Sequence, residues 1–347
     1  MRAYFSGSAI VMAVALVLPC AAPAQTFKTE KFNIGGEGGT DYLSVDPATG
    51  RVFISRGTHV MVVDGATGKV LGDIPNTPRV HGIAFAPKSN HGFTTNGGDS
   101  TSTMFDLQTL SVIKRVPAGI DGLDGIMYDE ATDKILTINH SHPTGTAVVI
   151  DAKTGDVVKT IKLSGNAPEG GVSDGKGRIF INLEDKNSID VIDTKTWNVV
   201  ATWPIDPCDG PTGIAMDRGA NRIFSGCSAT SVVVDAASGK VVAQIANGNG
   251  VDALGWDQAQ KLMYIPAGRD GNVTVVHEDS PDKYTVVATV PTMVGAKTIT
   301  VDASKHVAYV FTPEYGPPPA GQPAPPAGRG RGPRGPIVAA WFIKIVH

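Results

Sequence analysis

Apolar residues in this chain come in short runs, each ending in a polar turn, and no long helical stripe follows the first few dozen residues. Tyr42-Leu43-Ser44-Val45, Gly125-Ile126-Met127-Tyr128 and Gly213-Ile214-Ala215-Met216 close on Asp46, Asp129 and Asp217. Equivalent closing positions fall at Ala86, Asp174, Asp257 and Asp302, at successive spacings of 40, 43, 45, 43, 40 and 45 residues. Runs this short predict strands. Four of them repeated every 40–45 residues or so predict β-propeller blades.

Each repeat shares one internal order. The first strand leads through a turn such as Asp46-Pro47-Ala48-Thr49-Gly50 into a second, such as Arg51-Val52-Phe53-Ile54. The third and fourth bracket another aspartate turn, as in Val62-Val63-Asp64-Gly65 and Val149-Ile150-Asp151-Ala152. Gly82, Gly125, Gly170, Gly213 and Ala253 share one position in the first strand, as expected where strands crowd an axis. Larger apolar residues are expected to fill the outer strands and form the core between blades. The last repeat supplies only three strands, so its fourth is expected from residues 27–34. The expected fold is all-β: a seven-bladed β-propeller of four-stranded antiparallel blades, the last closed by the N-terminal strand.

Composition agrees with tight turns, since 41 glycines and 24 prolines accompany only 18% charged residues. A net charge of −3 gives no general attraction to nucleic acid or anionic lipid. Arg2, the apolar Ala9–Leu18 run and Ala22-Pro23-Ala24 read as an export signal over residues 1–24, too short to span a bilayer. One domain, residues 25–347, is then expected in the periplasm or outside the cell, with no transmembrane segment and as a monomer. Its Cys208 and Cys227 flank one strand pair and are expected to form a disulfide, with two free thiols as the alternative. Residues 313–336 are too rich in proline and glycine for a strand. They are expected to form a mobile loop in blade seven carrying Arg329, Arg331 and Arg334, either solvated or gripping an acidic partner.

Antiparallel order gathers the irregular loops at one end of the cylinder. Counting back five residues from each closing position gives Asp41, His81, Asp124, Glu169, Thr212, Asp252 and Lys297. Six of these seven ionise and four are carboxylates. Rotational repetition places them round the channel mouth as the candidate ligand-binding ring, where close carboxylates invite a cation, a lysine or water. The second strands should open on the same mouth through Arg56, Asn96, Asn139, His140, His142, Asn182, Glu184, Arg269 and Glu314. Asp124, His140, His142 and Glu169 form a candidate metal set, although a His-x-His before Pro143 is more often merely hydrated or hydrogen-bonded. No haem, phosphate-loop, EF-hand or nucleophile-elbow motif occurs. The acidic mouth also opposes nucleic acid as a partner.

Residues 213–224 and 232–242 resemble units of the YncE-like, YVTN-repeat propellers, exported bacterial proteins with seven blades. Val52-Phe53-Ile54-Ser55 and Arg178-Ile179-Phe180-Ile181-Asn182 stand where that family's name-giving motif would be. The pair Cys208 and Cys227 is also similar to a cysteine-bearing blade in some members. The resemblance implies the fold but no shared reaction. The leading expectation is a binding or scaffold protein that takes a small solute or protein partner at the mouth, with no catalytic residue and no required cofactor. The alternative is a lactonase-like hydrolase that uses a divalent cation in the acidic ring.

Overall fold

The computed structural model describes Met1 and residues 26–119, 121–140, 143–318 and 335–347. Residues 2–24 of the expected export signal, His142, Arg329, Arg331 and Arg334 lie outside the described residues. Seven four-stranded antiparallel sheets form the blades. Their inner strands are Leu43–Val45, Val80–Ala86, Leu123–Asp129, Pro168–Ser173, Ile214–Asp217, Gly255–Asp257 and Ile299–Asp302. Each inner strand touches the next, and that of blade seven touches that of blade one, closing the ring.

The repeated aspartate is a turn device. Asp46 accepts hydrogen bonds from Ala48 N at 3.1 Å and Thr49 Oγ1 at 2.6 Å, and Asp257 accepts from Ala259 N and Gln260 N. The carboxylate thereby satisfies the backbone donors that the turn frees. Asp129 also accepts from Ser173 of the next blade. Ala86 lacks such oxygens, and there Pro87–Ser89 forms a short 3-10 turn that ends on left-handed Asn90.

Seven separate apolar clusters fill the seven interfaces between neighbouring blades. One packs Phe53, Val62 and Ile74 of blade one against Ile83 and Phe105 of blade two. The expectation that the outer strands form the core holds only for the middle pair of each blade. Val60–Asp64 is nearly sealed, whereas the outermost Val157–Lys162 leaves Val157 and Val158 exposed. An outermost strand has no further strand beside it, so its side chains meet water.

Lys28–Asn33 pairs antiparallel with Ile337–Val346 and supplies the fourth strand of blade seven. Arg56 locks this closure. Its buried guanidinium donates to the carbonyls of Gly35, Gly36 and Gly38 at 2.9–3.1 Å and lies 4.9 Å over Phe311. Gly38 is required at φ +91°, because a Cβ there would lie 1.9 Å from the Arg56 carbonyl oxygen. Arg56 therefore serves the fold and not the mouth, a correction to the sequence expectation.

The disulfide Cys208–Cys227 joins the approach and exit of one hairpin, with both cysteines in the cluster between blades four and five. Closing a loop of this length contributes about 3 kcal/mol in the chain-entropy view. The proline-rich segment begins later than expected. The second strand of blade seven runs on through Pro313, Glu314 and Tyr315, paired with Ala340, Ala339 and Ile337. The inner strand has already ended opposite Val310, so Pro313 sits on a free edge where its missing N–H breaks no ladder. No helix among the described residues is long and apolar enough to cross a membrane.

Candidate functional site

The ring positions reach the mouth by two different local routes. In blades two, three and four the inner strand bulges between Val80 and Ile83, Leu123 and Ile126, and Pro168 and Gly171. His81, Asp124 and Glu169 sit inside those bulges, which turn a side chain out of the regular pleat. In blades one, five, six and seven the strand starts later, and Asp41, Thr212, Asp252 and Lys297 lie on its approach.

Six of the seven converge. Lys297 Nζ lies 2.8 Å from Asp41 Oδ1 and also contacts Asp252 Oδ2. Asp41 Oδ2 in turn lies 2.5 Å from His81 Nδ1, which is 3.5 Å from Asp124 Oδ1. His140 Nδ1 lies 3.2 Å from Glu169 Oε1. Thr212 lines the mouth, but its hydroxyl donates to the Val251 carbonyl at 2.9 Å. It works as a spacer between blades.

Burial raises the cost of charge throughout, and each group answers according to its neighbours. Burial opposes the Asp41 carboxylate, yet His81 and Lys297 together hold its pKa below the usual range. Burial lifts Asp252 to about 6 against the pull of Lys297. It lifts Glu169 to about 7 despite the hydrogen bond with His140, and the charges of Asp124 and Asp252 add to the rise. Asp124 is also raised, by burial and then by Asp41, with His81 opposing. Burial works against charge on His81, but Asp41 and Asp124 prevail and raise its pKa. The hydrogen bond to Glu169 raises that of His140.

Asp124 is the pivot of this cluster. Asp41, His81 and Asp124 form one set with ligand atoms within 4.8 Å of one another, and Asp124, His140 and Glu169 form a second. Asp124 Oδ1 is buried and accepts no hydrogen bond from a described residue, His81 Nδ1 at 3.5 Å being its nearest ionic neighbour among them. An orphaned carboxylate oxygen beside two imidazoles is a donor set suited to a divalent ion that takes nitrogen and oxygen ligands. Three of the four residues in the expected metal set, Asp124, His140 and Glu169, are thus together. His81 and Asp41 join them from outside that set.

Sequence reasoning missed Tyr42. It occupies the position filled elsewhere by Gly82, Gly125, Gly170, Gly213, Ala253 and Thr298. A Cβ on Gly213 would lie 2.4 Å from the Ala253 backbone, so these glycines let adjacent inner strands touch. Tyr42 instead turns to the axis and lines a cavity of about 280 Å³ below the ring, with Asp252 on its wall. Burial raises its pKa well above that of a free phenol, and Asp252, Glu169, Asp124 and Asp41 add to the shift. The signal was present as the one aromatic residue in a column of small ones.

Above the ring lies a wide vestibule of about 1230 Å³ that reaches Arg79, Glu184, Asp209 and Arg269. Glu184 and Arg269 therefore lie where their strand positions placed them. Asn96 and Asn182 do not serve the mouth. Asn96 donates to Thr101 and Thr103, and Asn182 donates to the carbonyls of Thr212 and Gly213. Asn139 is buried, and Glu314 accepts from the Trp341 indole. Asn96 and Asn182 end middle strands beneath the loops, where their buried amides are satisfied by the groups packed around them, side chains for Asn96 and backbone for Asn182.

No protein-family model matches the chain, and no curated protein matches it. Solved structures do. The fold is similar to a chain of the Kuenenia stuttgartiensis hydrazine synthase at 18% identity, covering 80% of this chain and 93% of that one with a TM-score of 0.70. It is also similar to the WD40 repeats of RRP9 at 10% identity, 91% and 97% coverage and a TM-score of 0.75. A chain of the mitotic checkpoint complex shares 14% identity, with 87% and 95% coverage and a TM-score of 0.71. At such identities the likeness shows the propeller fold alone.

Proposed function

We propose that the channel mouth holds a divalent cation on Asp124, flanked by His81, His140, Asp41 and Glu169, and that the protein hydrolyses small esters or lactones there. Asp124, shared by both ligand sets and with a buried Oδ1 that accepts no hydrogen bond from a described residue, is the observation that carries this reading. A bound cation would polarise a carbonyl oxygen and make water more acidic. Glu169 would take the proton released by that water, and His140 at 3.2 Å would pass it on. Lys297 fixes Asp41 and Asp252, so that side of the ring keeps its shape through the reaction. Export from the cytoplasm belongs to the same reading, supported by the signal-like N-terminus and the disulfide.

Protein purified without chelator should contain about one equivalent of zinc, manganese or calcium by elemental analysis, and Asp124→Asn should contain none. Hydrolysis of p-nitrophenyl acetate or γ-butyrolactone should follow metal content. Metal without hydrolysis would favour the second reading, a binding propeller that uses the cation to hold a solute. An ion-free protein whose Asp124→Asn variant behaves like wild type would overturn both metal readings.

A further inference from the structure

Three main-chain carbonyls at or beside ring positions are gripped by a hydroxyl from the preceding blade. Thr298 of blade seven donates to the Asp41 carbonyl at 2.5 Å, Thr212 of blade five to that of Val251, and Thr95 of blade two to that of Asp124. At three other junctions a backbone amide makes the crossing. Tyr42 N donates to the His81 carbonyl, Gly170 N to that of Thr212, and Asp252 N to that of Lys297.

Thr95 differs from the other two hydroxyls in joining two members of the ligand sets. It stands in the second strand of blade two, His91–Asn96, and is fully buried. Its Oγ1 accepts from Gly82 N at 2.8 Å while donating to the Asp124 carbonyl. One side of the hydroxyl thus holds the bulge that carries His81, and the other holds the bulge that carries Asp124. Gly82 packs on this bond. A Cβ there would lie 3.3 Å from Thr95 Oγ1, 3.4 Å from the Asp124 carbonyl oxygen and 2.6 Å from Ile126 Cγ2. Behind the imidazole, a Cβ on Gly97 would come within 2.8 Å of His81 Nε2, while Nδ1 faces Asp41 and Asp124. The register position of Thr95 is Ser55 in blade one, where the hydroxyl accepts from Asp41 N, but Ile138 in blade three and Phe311 in blade seven. A blade therefore folds without a hydroxyl there.

We propose that Thr95 is a positioning residue for the cation site, its hydroxyl setting the separation of His81 and Asp124 and so the geometry of the set they form with Asp41. It acts through the backbone of both neighbours, and the cation it serves is that of the proposed metal reading, on which this role rests. Groups that orient metal ligands commonly account for ~10–100-fold in affinity. Thr94 supplies the control. It is as buried as Thr95 and also donates one bond and accepts one, to Asn96 Oδ1 and from Thr103 N, both within blade two. A merely structural hydroxyl would make the two threonines equivalent.

The test measures Zn²⁺ affinity of the full protein by competition with a chromophoric chelator. Thr95→Val should bind about tenfold more weakly than wild type, Thr94→Val should match wild type, and Thr95→Ser, which keeps the hydroxyl, should recover the loss. Thr95→Ala serves if valine prevents folding. Crystals of metal-free Thr95→Val, grown with chelator, should show His81 Nδ1 and Asp124 Oδ1 about 1 Å farther apart than the 3.5 Å of the native chain. Those of Thr94→Val should keep the native distance. A wild type that binds no Zn²⁺ removes the metal reading, and the crystal comparison then decides the positioning role by itself. An unchanged distance in Thr95→Val overturns the proposal. So does a Zn²⁺-binding wild type whose affinity Thr95→Val retains, or whose affinity Thr94→Val lowers as much.

Discussion

The two arcs of the ring contain the same number of carboxylates and treat them in opposite ways. Over blades six, seven and one, Asp252 and Asp41 share the ammonium of Lys297, which stays charged at any physiological pH. Over blades two, three and four, Asp124 and Glu169 form their ion pairs among the described residues with His81 and His140, whose charge is conditional. A lysine ammonium has no lone pair to offer a metal, whereas a neutral imidazole does. The first arc is therefore finished by the chain itself. The second can exchange its protons for a cation, and it is the arc with the orphaned oxygen.

Removing the lysine attacks the finished arc directly. Lys297→Met leaves Asp252 without its cation and Asp41 with His81 alone, and should lower unfolding free energy by about 2 kcal/mol in urea. A fully sealed pair would lose more, but the lysine side chain retains 42% exposure and water screens it. Unchanged stability would mean that the arcs are alike.

A matched pair of substitutions sharpens the contrast. Asp41 is held ionised by its neighbours, so Asp41→Asn should cost about 1–2 kcal/mol at both pH 5 and pH 8. Glu169 is ionised against the preference of its site above pH 7. Glu169→Gln should accordingly stabilise the metal-free protein by about 1 kcal/mol at pH 8 and do nothing at pH 5. Two losses of equal size would erase the distinction.

The same reasoning fixes the sign of the pH response. Glu169 at about 7 and Asp252 at about 6 hold protons that the unfolded chain has released by pH 5 or so, and raised His81 and His140 act in the same sense. The folded state binds more protons in this window, so metal-free stability should fall as pH rises from 5 to 8, by on the order of 2 kcal/mol. Asp41 contributes in the other direction, its share being lost only in acid, as pH drops through its lowered pKa. A divalent cation at ~100 times its Kd should restore about 2.7 kcal/mol at pH 8 and much less at pH 5, where protons compete for the same atoms. Thermal melts with and without metal would show it. A metal-free melt that strengthens toward pH 8 contradicts the account.

The fold was legible because one strand period and one turn residue repeat, and repetition survives without any knowledge of contacts. Asp46, Asp129, Asp217 and their kin marked the inner strands to within a residue. The ring was legible for the same reason, since Asp41, His81, Asp124, Glu169, Asp252 and Lys297 share one register. Partnership was not. Nothing in the spacing shows that Lys297 serves two carboxylates, that Thr212 is spent on Val251, or that Asn182 caps the backbone, because these depend on which atoms meet across blades. Arg56 misled for a related reason. The glycines that wrap it lie in a segment whose path follows from ring closure, not from its own pattern.

The smallest expected change in stability concerns the residue that breaks the pattern. Tyr42 lies beneath both arcs, at the only point in its column where an aromatic ring replaces a small residue, and burial, with four carboxylates adding to it, keeps its phenol protonated. A phenol in that state keeps a proton to donate toward the channel. Its hydroxyl makes no hydrogen bond with a described residue, so Tyr42→Phe should change unfolding free energy by no more than about 0.5 kcal/mol. Cation affinity should also stay within about twofold, since the ligand atoms are untouched. If the ligand's polar end reaches the floor of the ring, its binding or turnover should fall about tenfold, because a donor to developing negative charge is lost while the cavity keeps its shape. Turnover equal to wild type would reduce Tyr42 to a filler of the axis and confine the chemistry to the arc around Asp124.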